Sequence, residues 1–132
     1  MRRAARGFTL IEQIAAVTLA GAASAVAVPA LVDLHSDAQA ATLHSLAQAA
    51  TSAMVLNQAG CLVTGQSVQA GKCTAVQQCG DVADLLLAGL PPGYRVVAAP
   101  LGGVGATTPC RLVRHEGSAE ALFIGIAAGR GV

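Results

Sequence analysis

The chain has 132 residues, 54% of them hydrophobic, with one tyrosine, two phenylalanines, no tryptophan and a net charge of +1. That length supports one small domain plus an appendage, not two domains. Near-neutral charge argues against a polyanion-binding surface, and so few rings leave no stacking platform for single-stranded nucleic acid.

Arg2, Arg3 and Arg6 crowd the N-terminus, and Glu12 follows. The next charged residue is Asp33, so the 20 residues of 13–32 carry no formal charge. As helix they span about 30 Å, the thickness of a bilayer hydrocarbon core. A carboxylate at the front of such a run is costly in lipid and demands a functional reason. A secretory signal peptide would use Ala25-Val26-Ala27 as its cleavage site, but Glu12 would break into its apolar region. An ordinary membrane anchor leaves the residues around Glu12 unexplained.

Gly7-Phe8-Thr9-Leu10-Ile11-Glu12, behind a short basic leader, resembles the signature of type IV pilins and pseudopilins, the class III signal peptide. The resemblance covers residues 1 to about 34. It implies cleavage between Gly7 and Phe8 by a membrane-embedded prepilin peptidase, N-methylation of Phe8, and a role for Glu12 in filament assembly. It also implies a single-pass inner-membrane subunit with a cytoplasmic N-terminus. An assembly platform would draw that subunit into a helical filament, extracellular or periplasmic, by self-association. Glycine at the cut lets extended backbone enter a narrow protease cleft. Loss of the leader removes three of the eight Lys and Arg and none of the seven Asp and Glu, leaving five against seven, or −2.

One long helix is expected from 8 to about 57. Its first part, 8–34, is apolar all round and rich in small residues such as Ala15, Ala16, Ala20, Ala22 and Ala23, which let helices approach closely. Pro29 should interrupt it with a kink, and Gly21 is a second weak point. The resemblance implies local melting there during filament packing; the bare alternative is a bend. Past Asp33 the pattern turns amphipathic, with Leu43, Leu46, Ala47, Ala50 and Met54 on one stripe and His44, Gln48 and Ser52 on another.

The C-terminal half reads as β-rich. Asp81 is placed to cap a short helix over 82–87 or 82–88, ended by Gly89 and Pro91-Pro92-Gly93. Strands are expected at 94–98, 110–115 and 121–126, with a Gly-rich loop at 102–105. They form an antiparallel sheet laid over the amphipathic half of the helix, a type IV pilin-like α+β fold. The organisation is leader 1–7, apolar helix 8–34 and a disulfide-stapled domain 35–132, with 61–79 a loop.

Cys61, Cys73, Cys79 and Cys110 all follow the apolar run. Arginines before that run place the cysteines outside the cytoplasm, where an even number reads as two disulfides. Cys61–Cys73 with Cys79–Cys110 is the preferred pairing of three, the first closing the loop after the long helix and the second tying the short helix to the sheet. Spacings for a structural zinc site are absent, so no metal is expected. The glycines at 102–105 lack the pattern of a nucleotide site, and His35, His44 and His115 have no catalytic context. No enzyme activity or cofactor is expected. Lys72, Arg95, Arg111, Arg114 and Arg130 would contact DNA only if they converged; scattered solvated charges are the simpler reading.

The expected function is a structural subunit of a type IV pilus-like filament, serving adhesion, twitching motility or DNA uptake. The alternatives are a type II secretion pseudopilin and a minor tip pilin binding DNA or a surface. A major secretion pseudopilin would be expected to carry a calcium loop near its C-terminus, and no acids cluster before Arg130-Gly131-Val132. Loss of seven residues from 132 gives a 125-residue chain starting at methylated Phe8, which intact-mass analysis of the membrane fraction will detect. A mass fitting cleavage after Ala27 would restore the secretory reading.

Overall fold

Residues 10–63 contain few helix breakers, only Gly21, Pro29 and Gly60, and they form a single helix, α1 (Leu10–Val63). The computed structural model describes Gly7 and residues 9–130, with residues 26–33 described by backbone alone. The helix runs without a break through Gly21 and Pro29. A proline removes one hydrogen bond, and flanking turns of a long helix retain theirs. Among the described residues no helix is long and apolar enough to cross a membrane. Residues 26–33, the last third of the expected span, have side chains outside the described set.

The chain divides into two compact units, Met1–Ala38 and Gln39–Val132. In the first, the described side chains from Thr9 to Ala25 are all exposed. In the second, Leu43, Ala47, Ala50, Met54, Asn57 and Cys61 recur at alternating steps of four and three, and every one is buried. That stripe shares a core with the sheet.

The sheet is β1 (Tyr94–Val96), β2 (Thr107–Arg114) and β3 (Glu120–Ile126), antiparallel in the order β1-β2-β3. Cys110 lies opposite Phe123 and Leu112 opposite Ala121, and all four are buried in the core that holds Leu43 and Met54. The intervening Arg111, Leu122 and Ile124 are exposed, as period-two alternation requires. Gly125 also points inward. A Cβ there would stand 2.6 Å from both Cys110 Sγ and Leu101 Cδ2, so only glycine fits beneath the second disulfide.

The long helix runs six residues past its expected end because its close is set by packing, not by Asn57. Gly60 lies so close to the Lys72 carbonyl that a Cβ would collide with it. Gly65 then takes φ +63°, its N–H reaching Leu62 O at 3.2 Å while Gln66 N–H reaches Cys61 O at 2.6 Å. These two bonds form a Schellman motif. Asn57 meanwhile acts as a backbone surrogate: its Nδ2 donates to Thr74 O and its Oδ1 accepts from Thr74 N, both at 2.8 Å. Buried Gln66 accepts from Gly129 N–H at 2.8 Å through Oε1, and its carbonyl accepts from Arg130 N–H at 2.8 Å. The segment expected as a plain loop is therefore pinned to both the helix and the residues that follow β3.

Disulfides join Cys61 to Cys73 and Cys79 to Cys110, the pairing preferred from sequence. On a chain-entropy account, separations of 12 and 31 residues stabilise by about 3 and about 4 kcal/mol. The expected short helix differs in detail. A 3-10 turn, Cys79–Asp81, leads into α2 (Val82–Leu85); Asp81 stands at the N-cap of α2 as expected, but its side chain does not cap that helix. Its carboxylate instead reaches backward to the N–H groups of Gln77 and Gln78, at 2.8 and 3.0 Å. Cys79, held by its disulfide and by its N–H on Ala99 O at 2.9 Å, makes the chain turn early. Leu85 and Leu90 both pack on the core, a five-residue step that no helix face accommodates, so α2 stops at Leu85. Against expectation β1 ends at Val96, while β2 begins three residues earlier, at Thr107.

Asn57→Ala leaves both Thr74 backbone groups without their partner. An unsatisfied buried donor or acceptor costs about 1–3 kcal/mol, so the denaturation midpoint of the oxidised full chain should fall clearly in urea titration.

Candidate functional site

Glu12 stands in the first turn of α1. Its Oε2 accepts from Thr9 N–H at 2.8 Å and from the Thr9 hydroxyl at 3.1 Å. The Glu12 N–H approaches Thr9 Oγ1 at 3.3 Å, and Gln13 N–H closes the first helical bond to Thr9 O at 3.0 Å. Threonine at the cap and glutamate three residues on form a capping box, which satisfies N–H groups that a helix start otherwise leaves open. The helix dipole favours a carboxylate there as well. Both contacts use Oε2, and among the described residues no donor reaches Oε1.

Phe8 lies outside the described residues, and with it the expected scissile bond partner and the methylated amine. Gly7 is exposed, and a Cβ built on it would meet nothing within 4 Å. Among the described residues nothing requires glycine at that position. The same holds at Gly21, where a Cβ would also meet nothing within 4 Å. A glycine inside a helix costs about 1 kcal/mol relative to alanine. Pro29 is helical in backbone, with its side chain outside the described set.

Further along the apolar run, Thr18 Oγ1 donates to Ile14 O and Ser24 Oγ to Ala20 O, each at 2.8 Å. These hydroxyls turn back onto their own helix and need no water. The four cysteines are all bonded and serve the fold. Of the five cations considered for DNA contact, Arg111 pairs with Glu120, and Arg114 Nη1 donates to Gln39 Oε1 at 2.6 Å.

The role of Thr9 was legible but not drawn from sequence: threonine, two residues, then glutamate before an apolar run is the capping-box pattern. No protein-family model matches this chain, and no curated protein or solved structure matches it.

Removing the cap side chain in Thr9→Ala should weaken the helix start by about 1 kcal/mol. Amide exchange over the first turn should then quicken about fivefold. Thr9→Ser keeps the hydroxyl and should exchange like the parent chain.

Proposed function

We propose that this chain is a structural subunit of a type IV pilus-like filament, cut by a prepilin peptidase after Gly7 and assembled from the inner membrane. The observation that carries the reading is the run Gly7 to Glu12 opening a 20-residue uncharged stretch on a helix whose far half enters an α+β domain. Glycines at 7 and 21, where a Cβ would meet nothing among the described residues, fit a demand from other molecules: a protease cleft for the first, close helix packing for the second. Hydroxyls satisfied on their own backbone suit an environment without water.

The mechanism follows from these residues. Before assembly the apolar run resides in the bilayer, with the Glu12 carboxylate held by Thr9. Cleavage after Gly7 creates a cationic amine at Phe8. The Oε1 of Glu12 then accepts from the Phe8 amine of a neighbouring subunit, fixing axial register as apolar segments exchange lipid for one another. Opposite charges attract strongly at low dielectric, and desolvation offsets part of that gain. Packing of unlike surfaces head to tail does not close, so a filament grows.

Glu12→Ala is expected to insert and be processed normally yet fail to assemble, and Glu12→Gln to be similarly impaired. Electron microscopy of sheared surface fractions, with intact mass confirming cleavage, decides the matter. Processed Glu12→Ala protein in normal filaments would remove the register role.

A further inference from the structure

Two apolar clusters on the unit Gln39–Val132 remain without partners. The first is a groove of about 520 Å³ walled by Ala53 and Leu56 of α1 and by Leu87 in the segment after α2, with Lys72 and Asp84 on its lining. Leu56 is 72% exposed and Leu87 fully so. The second is on the outer face of the sheet, where Leu122 and Ile124 stand two residues apart on β3, 63% and 43% exposed. Arg111 lies across from Leu122, and the Arg111–Glu120 ion pair flanks it.

A single exposed leucine needs no explanation, since much of any protein surface is apolar. Here, however, each cluster combines large apolar side chains with one cation and one carboxylate. The groove is concave and bounded by α1. The sheet cluster faces the other way, because Phe123 and Leu112 turn the opposite face of the same strands into the core shared with α1. One chain's sheet cluster therefore cannot fill its own groove. Exposed apolar surface of this kind marks interaction sites.

We propose that the groove beside α1 receives the outer sheet face of a second copy of this chain, Leu122 and Ile124 entering against Leu56 and Leu87 while Lys72 meets Glu120 and Asp84 meets Arg111. This deepens the filament reading and rests on it. The Arg111–Glu120 pair is half-exposed and contributes little in water, so exchanging partners across an interface loses little. When unlike patches meet, the growing assembly always keeps one groove open at one end and one sheet face at the other. Such contacts propagate rather than close. The apolar contact supplies the attraction and the charges fix register and reject misaligned copies.

The test uses full-length chain in cells that make filaments. All native cysteines are bonded, so thiols introduced by Leu87→Cys and Leu122→Cys are the free ones, and the two single variants report any pairing of like with like. Both positions are exposed, and the fold does not depend on either side chain. Oxidised filaments of the double variant should give a ladder of multimers on non-reducing gels, and neither single variant should. Filaments that yield no ladder, or bands that stop at a dimer, overturn the proposed contact. If the unaltered chain forms no filaments at all, the filament reading fails instead, and microscopy separates the two cases. Charge exchange gives a second measurement. Lys72→Glu and Glu120→Lys should each lower filament yield about tenfold, and the two together should restore it. A double variant no better than the singles also overturns the contact.

Discussion

Burial of one stripe of α1 is the interaction on which the globular unit depends. Leu43, Ala47, Ala50, Met54, Asn57 and Cys61 are spaced four and three apart, so a single helix face carries the core from the start of the unit to the helix end. A three-stranded sheet is marginal alone, and this face supplies its second layer. Ala47, Ala50 and Met54 of this face share one buried cluster with Leu112 and Phe123 of the sheet. The last two positions of the stripe change character. Asn57 and Cys61 hold the chain covalently and by hydrogen bonds, where apolar contact is running out.

That change explains why the segment after the helix needs so many specific ties. Residues 64–78 bury little apolar surface beyond Cys73 and Val76. Their order comes from the Schellman close, the Asn57 amide, the Gln66 bonds and the first disulfide. Gly129, with φ +72°, is part of the same fit: a Cβ there would stand 2.9 Å from Ala75 Cα. Polar and covalent links thus extend a small core to a region it could not hold by burial alone.

The N-terminal half obeys a different constraint. The described side chains from Thr9 to Ala25 are all exposed, and short hydroxyl and carboxylate contacts run along the helix. Under the filament proposal, lipid and then other helices would cover these side chains. The capping box lets Glu12 keep a hydrogen-bonded carboxylate in such surroundings. Both bonds to Thr9 use the same oxygen, Oε2.

The sequence by itself determined which segments are helical and which extended, since apolar periodicity of 3.6 or 2 is a local property. It determined the α+β class, the stripe from Leu43 to Met54, the three strands in order, and the residues from Gly7 to Glu12 on which the functional proposal stands. Tertiary structure decided where elements stop. Helix α1 continues past Asn57 because Gly60 nestles against Lys72, and α2 is cut short because Leu85 and Leu90 must both reach the core. It decided that Asp81 bonds backward and that Asn57 and Gln66, polar residues with no pattern around them, are buried fasteners. It also brought Leu56, Lys72, Asp84 and Leu87 to one groove. Residues distant in the chain meet only when the core fixes their positions, so periodicity along the sequence carries no trace of such meetings.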